Sequence, residues 1–144
     1  MKSLEFTRRY KKLDSLQKKA VDTIDGPLLV IAGPGSGKTE ILSLRVANIL
    51  LKTDTSPSNI LCLTFTDSAA ATMRQRLLNL ISSDAYRVSI FTFHAFCTDV
   101  IERFPEYFYG GANFHSADSI TQLEVLEGVF KTLSYDDPLS KTHP

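Results

Sequence analysis

Ala32-Gly33-Pro34-Gly35-Ser36-Gly37-Lys38-Thr39 is a loop of small residues ending in Gly-Lys-Thr, set between the apolar run Leu28-Leu29-Val30-Ile31-Ala32 and a stretch with helical periodicity. Glycines let consecutive backbone N–H groups turn toward one anion without a Cβ in the way, and the following helix adds unpaired N-terminal donors and a positive dipole end. The loop reads as a phosphate cradle in which Lys38 reaches the terminal phosphates and the Thr39 hydroxyl holds Mg²⁺. The strict pattern has Gly where this chain has Ala32, so the match is to the relaxed form with a small residue first. Residues 28–32 have the composition of a buried parallel strand, and Leu42, Val46, Ile49 and Leu50 recur at helical spacing. The order strand, loop, helix is the one the chemistry needs. The plain alternative is a Gly-rich turn of a βα unit with no ligand.

At 144 residues, 43% hydrophobic and 22% charged, the chain has room for one domain with a real core. Its 16 basic and 16 acidic residues cancel, so no global field marks it as a nucleic-acid binder and any such binding must come from a local groove. No apolar run approaches the roughly 20 residues that cross a bilayer, and the start Met-Lys-Ser-Leu-Glu-Phe-Thr-Arg-Arg-Tyr lacks the apolar core of a signal peptide. The expectation is a cytoplasmic protein without a membrane partner. The two cysteines, Cys62 and Cys97, have no metal-ligand spacing to any histidine and are expected to be buried small hydrophobes.

Residues 1–12 carry Lys2, Arg8, Arg9, Lys11 and Lys12 and are expected to form a loosely ordered basic arm. From Leu13, positions 13, 16, 17 (the Gln stem), 20, 21 and 24 make one helical face, opened by Asp14 as N-cap and stopped by Asp25-Gly26-Pro27. After strand 28–32, the cradle and helix 38–51 come two further strand-helix pairs. They are Ile60–Phe65 with a helix over 68–81 (Ala70, Met73, Leu77 and Leu80 inward), and Val88–Thr92 with a helix over 94–104 burying Phe96, Cys97, Val100 and Ile101. Such a succession predicts an α/β fold, a parallel sheet with helices on both faces and ligands at the carboxyl ends of the strands. Past Pro105 an aromatic, Gly-rich stretch, Glu106 to Gly111, leads to a helix from Ile120 to about Leu133 and a polar tail, 134–144, expected to be frayed.

Two strand ends resemble each other: Thr64-Phe65-Thr66 and Thr92-Phe93-His94. Hydroxyls, histidine and helix N-termini take phosphates while an aromatic ring stacks a base, so this edge suits a single strand of nucleic acid. Alternatively Phe65 and Phe93 are core residues, and the threonines and Asp67 are helix caps.

With these elements in place, the chain resembles the amino-terminal part of UvrD/Rep-type superfamily 1 DNA helicases over roughly residues 13–133. Leu13-Asp14-Ser15-Leu16-Gln17-Lys18-Lys19-Ala20-Val21 resembles the Q motif, residues 32–39 motif I, Ile60 to Leu77 motif Ia and Thr92-Phe93-His94 motif Ib. The resemblance implies a P-loop NTPase fold of the RecA-like kind. It implies that ATP is held by Gln17 at the adenine, by Ala32, Gly33, Pro34, Gly35, Ser36 and Gly37 with Lys38 and Thr39 at the phosphates and Mg²⁺, and by Arg45 nearby. It further implies that Thr64, Phe65, Thr66, Thr92, Phe93 and His94 face single-stranded DNA, with 3′ to 5′ movement common in the family. Asp14 and Gln17 are also spaced as a capping box, and Arg45 as a solvated helix charge. Where many members have Asn-Lys after Thr-Phe-Thr, this chain has Asp67-Ser68, one positive charge fewer beside DNA.

A P-loop ATPase also needs an apolar strand ending in Asp-Glu to hold Mg²⁺ and orient water. No such strand occurs, and Asp136-Asp137, in a polar context before Pro138, is a poor substitute. The expectation is a fragment: a basic arm (1–12), the first half of a motor domain (13–105), and the start of an inserted helical subdomain with its tail (106–144). Its site would be completed by a second motor domain of the same polypeptide. Such a fragment binds nucleotide weakly or not at all and does not hydrolyse it. Competing readings are a P-loop kinase or small NTPase, which predicts neither the paired Thr-Phe edge nor the upstream Gln. A second is a nucleic-acid-binding module with a vestigial cradle, and a third is a helicase-nuclease of the RecB/AddA kind.

Overall fold

A computed structural model describes residues 4–108, 117–134 and 137–138. Tyr109 to Gly111 of the aromatic stretch, Asp136 of the acidic pair and residues 139–144 of the tail lie outside the described residues. The chain divides into two compact units, residues 1–97 and 98–144.

The first unit begins with α1 (Leu4–Lys11) and α2 (Ser15–Asp22). Helix α1 corrects the expectation of a loosely ordered arm: Phe6 is buried, Phe6 and Tyr10 stack at 5.7 Å between ring centroids, and Glu5 pairs with Arg8 and Arg9. Arg8 and Lys11 are exposed on the outer side of a helix whose apolar side is docked. Helix α2 starts where Asp14 predicts. The Asp14 carboxylate accepts the Gln17 N–H at 2.8 Å, and Gln17 Oε1 accepts the Asp14 N–H at 3.0 Å, a complete capping box. Leu13, Ala20 and Val21 turn inward, whereas Leu16 is exposed.

Helix α3 (Lys38–Lys52) divides two apolar clusters. Ile41, Leu44 and Ala47 meet Phe6, Leu13, Ala20, Val21 and Leu80, and Val46 meets Cys62, Met73, Leu77, Ala85, Val88 and Ile90. Asn48, also buried, donates Nδ2 to the Val21 carbonyl at 3.0 Å, so its amide is not left unpaired.

Strands β1 (Leu61–Thr64) and β2 (Ser89–Thr92) pair in parallel, Leu61 beside Ser89 through to Thr64 beside Thr92, with α4 (Asp67–Ile81) between them in the chain. Met73, Leu77 and Leu80 of α4 are buried, as their spacing predicts. This is a mixed helix-strand fold with a small parallel sheet. Residues 28–32 correct the reading of a first strand. Among the described residues neither β1 nor β2 pairs with them, and Leu29 and Ile31 are 84% and 90% exposed. Strand hydrogen bonds come only from a neighbour, so apolar composition alone does not make a strand.

Helix α5 (Phe93–Arg103) spans the division between units. The burial expected of Phe96, Cys97, Val100 and Ile101 is absent; Cys97 is exposed and the others are only partly covered. The periodicity specifies an apolar face but not how much of it a neighbouring surface covers. In the second unit, α6 (Ser119–Thr132) is capped by Asp118, whose carboxylate accepts the Thr121 N–H at 2.8 Å, which holds that carboxyl below its ordinary range. Ile120, Leu123, Leu126 and Val129 on it are exposed.

Candidate functional site

The loop before α3 takes the backbone shape its glycines permit. Gly35 and Gly37 lie at φ 73° and 82°, in the left-handed region that L side chains avoid. Gly37 is also the N-cap of α3 and offers no side chain, and the first intrahelical bond is Ile41 N–H to Gly37 O at 3.0 Å. The N–H groups of Lys38, Thr39 and Glu40 therefore point out of the helix end uncapped, which is the donor set an anion needs. Gly35, Gly37, Lys38 and Thr39 line a cavity of about 340 Å³ together with Glu40 and Arg76.

Side chains brace the loop from within. Ser36 Oγ donates to the Gly33 carbonyl at 2.7 Å, and Lys38 Nζ donates to the carbonyls of Ala32 and Gly33 at 3.0 and 2.7 Å. The Lys38 ammonium is thus held on two loop carbonyls by bonds to neutral acceptors, which an anionic oxygen would exchange for an ion pair. Thr39 is exposed at the cavity, and its carbonyl accepts from the buried hydroxyl of Ser43 at 2.7 Å. These groups fit a nucleotide phosphate with Mg²⁺: backbone donors, one ammonium and one hydroxyl at the first turn of a helix.

Gln17 reaches this loop from α2. Its Nε2 donates to the Ser36 carbonyl at 3.4 Å while its Oε1 serves the capping box. Cap and cradle contact coexist in one side chain. Arg45 is not a solvated charge: Nη1 and Nη2 donate to the carbonyls of Ala20 and Ile24 at 2.9 and 3.3 Å, holding the end of α2. It lines a separate, largely apolar cavity of about 280 Å³ with Ala20, Leu28, Val30, Lys38, Ile41 and Leu42.

The two strand ends lie side by side, because the sheet register sets Thr64 opposite Thr92. Phe65 and Phe93 are 85% and 54% exposed, not core. The threonines do cap: Thr66 Oγ1 accepts the Ala69 N–H and Thr92 Oγ1 accepts the Ala95 N–H, each at 3.2 Å. Thr64 Oγ1 donates to the Phe91 carbonyl at 3.3 Å, and His94 is exposed beside them. Capping hydroxyls and uncovered rings therefore share one edge.

Sequence reasoning passed over Glu40 and Arg76. The Glu40 carboxylate accepts from Arg76 of α4 and, at 3.4 Å, from Arg9 of α1. Only adjacency to Thr39 could have flagged Glu40; Arg76 is 36 positions further on. Among the described residues no cluster of three or more His, Cys, Asp or Glu side chains is arranged to hold a metal.

The model of the UvrD/REP helicase N-terminal domain matches residues 13–143. Over 124 residues the chain is 38% identical to the ATP-dependent DNA helicase PcrA of Bacillus subtilis, covering 86% of this chain and 17% of that protein. Over 126 residues it is 39% identical to PcrA of Staphylococcus epidermidis, covering 88% and 17%. It thus spans about a sixth of the length of these relatives. The matched range includes the loop 32–39, the Gln17 helix and the two Thr-Phe strand ends, and the chain belongs to the UvrD/REP helicase N-terminal domain family.

Proposed function

We propose that this chain is the nucleotide-binding portion of an ATP-dependent translocase that moves along single-stranded DNA in repair or recombination. The observation that carries the reading is the loop 33–39 with Gly35 and Gly37 at positive φ, opening an uncapped α3 beside Lys38, Thr39 and the Gln17 amide. In this reading residues 13–105 are the first half of a RecA-like P-loop motor domain and 106–144 begin an inserted helical subdomain. Residues 1–12 form its basic flank, and the protein works in the cytoplasm.

ATP supplies a phosphoanhydride bond whose cleavage drives motion. In this reading Lys38 and the N–H groups at the head of α3 bind its phosphates, the Thr39 hydroxyl ligates Mg²⁺, Gln17 reads the adenine, and Arg45 lies near the nucleotide. The rings of Phe65 and Phe93 stack bases while Thr64, Thr66, Thr92 and His94 meet the phosphate backbone. The acidic partner for Mg²⁺ and water, and the cations that complete the site, belong to the rest of the polypeptide, including a second motor domain. The chain alone accordingly binds nucleotide weakly and does not turn it over.

The test is MgADP binding to this chain by ¹⁵N NMR titration, which reads millimolar dissociation constants. The expected result is shifts at Gly35, Gly37 and Thr39 that Lys38→Ala abolishes, with no ATP turnover. Steady turnover by the chain alone, or shifts indifferent to Lys38→Ala, would falsify the reading.

A further inference from the structure

Glu40 is the acidic residue in the first turn of α3, and it lines the cradle's cavity beside Lys38, Thr39 and Arg76. A carboxylate there opposes an anionic ligand, so its partners decide what the ligand meets. Oε2 accepts from Arg76 Nη1 of α4; Oε1 and Oε2 lie 3.4 and 3.5 Å from Arg9 Nη1 of α1. Arg9 is itself anchored, its Nε donating to Glu5 Oε1 at 2.7 Å, and Glu5 also meets the more exposed Arg8 at 3.4 Å. Side-chain exposure is 24% for Arg9, 24% for Glu40 and 36% for Arg76. These charges are thus partly shielded from water, where their interactions exceed those of free surface ions.

With one arginine, Glu40 would form a neutral pair and hold that arginine fully. With two, and with Glu5 and Arg8 on the far side of Arg9, the network of three arginines and two carboxylates keeps a net positive charge, and Arg76 has only part of the Glu40 carboxylate. Arg9 does not line the cavity, so it acts through Glu40. We propose that Glu40 sets the charge at the rim of the phosphate cradle, and that Arg9 is a positioning residue which, by sharing the carboxylate, leaves Arg76 able to face an anionic ligand. Helix α1 thereby tunes the affinity of the cradle, although it precedes the region the family model matches. This inference rests on the nucleotide-site reading above.

The experiment is the same ¹⁵N titration with MgADP and, separately, inorganic pyrophosphate, at low and near-physiological salt, alongside thermal unfolding. Glu40→Gln removes the rim's negative charge and is expected to bind about three- to tenfold tighter at low salt, the gain shrinking as salt rises. Arg9→Gln is expected to bind about two- to threefold weaker, and Arg9→Lys to restore most of the loss. The double variant should match Glu40→Gln, because Arg9 then has nothing to act through. Both single variants lose ion pairs and should be slightly less stable, so a purely structural role predicts weaker binding for both; the opposite sign for Glu40→Gln separates the two. Wild-type binding abolished by Lys38→Ala, together with unchanged or weaker binding by Glu40→Gln, overturns this inference alone. A wild-type chain with no Lys38-dependent binding overturns the site reading, and this inference with it. If Glu40→Gln fails to fold, the Arg9 pair decides: an unchanged affinity in Arg9→Gln overturns the proposal.

Discussion

Gln17 Nε2 lies 3.4 Å from the Ser36 carbonyl oxygen while Oε1 of the same amide accepts the Asp14 N–H at 3.0 Å. One side chain starts α2 and touches the cradle, and the two duties use different atoms. Gln17→Glu separates them. The carboxylate still closes the capping box, but it sets oxygen against oxygen at Ser36. Stability in urea should stay within about 0.5 kcal/mol of wild type, whereas Asp14→Ala should cost about 1 kcal/mol. MgADP binding by Gln17→Glu should weaken severalfold; an unchanged affinity would remove Gln17 from the nucleotide site.

Ser43 and Met73 tie the cradle to the sheet side of the molecule. Ser43 is fully buried, its Oγ donating to the Thr39 carbonyl at 2.7 Å and lying 3.2 Å from Met73 Sδ. Ser43→Ala leaves that carbonyl with one partner fewer and should cost about 1 kcal/mol. Met73→Ala empties a core position and should cost about 2–5 kcal/mol. Chemical denaturation measures both. If Met73→Ala unfolds at the wild-type midpoint, the second apolar cluster is not the core it is taken for.

How much of this was legible depends on range. Asp14 as a cap, Gly35 and Gly37 at positive φ, and the inward face of α4 follow from chemistry within a few residues, and the sequence shows it directly. Docking is another matter. Leu28–Ala32 has strand composition but no strand partner among the described residues, and Cys97 is exposed on an apolar face that is only partly covered there. The basic residues of α1 hid Phe6, since charge density in a short segment says nothing about its other side. The Arg9–Glu40–Arg76 cluster joins residues 31 and 36 positions apart, and no periodicity encodes that.

Cys62 and Cys97 should behave oppositely. Burial pushes the Cys62 thiol from 9.0 up to about 11, with Arg74 pulling weakly the other way. Cys97 is exposed. At pH 8 a thiol reagent should modify Cys97 promptly and Cys62 only on unfolding. The folded value of Cys62 is the raised one, so its contribution is fully present below pH 9.0 and is lost as pH rises toward 11. Over that window the loss is on the order of 3 kcal/mol. Cys62→Ala should flatten this part of the pH profile, and a profile identical to wild type would show that another group carries it.

Tyr10 and Asp22 join α1 to α2. The Tyr10 hydroxyl donates to the Asp22 carboxylate, which Lys52 Nζ also meets at 3.3 Å. The tyrosine bond first, and then Lys52, hold the Asp22 carboxyl below its ordinary value of 3.8. A lowered folded pKa means stability that is present above pH 3.8 and lost as pH falls through the folded value. Tyr10→Phe should therefore lower stability at neutral pH and weaken its acid dependence. If the acid limb keeps its slope in Tyr10→Phe, Asp22 is not what α1 depends on.

The edge formed by Phe65 and Phe93 makes the sharpest demand on the DNA reading. Both rings are largely exposed, so truncating them removes little core: Phe65→Ala and Phe93→Ala should each leave stability within about 0.5 kcal/mol. If the rings stack bases, each truncation should cost about 1–3 kcal/mol of single-stranded DNA binding, roughly five- to over a hundredfold. Capping by Thr66 and Thr92 places hydroxyls at the same edge, but Asp67-Ser68 supplies no cation there. Ser68→Lys should therefore strengthen binding and steepen its salt dependence by about 0.7 in the logarithmic slope, the increment for one added phosphate contact on a single strand. Fluorescence anisotropy with a labelled oligothymidine at several salt concentrations reads both effects. Loss of affinity in the Phe variants without a steeper slope in Ser68→Lys would mean that bases stack at this edge while the phosphates run elsewhere. Neither effect would mean that the exposed rings are covered by protein, not by DNA.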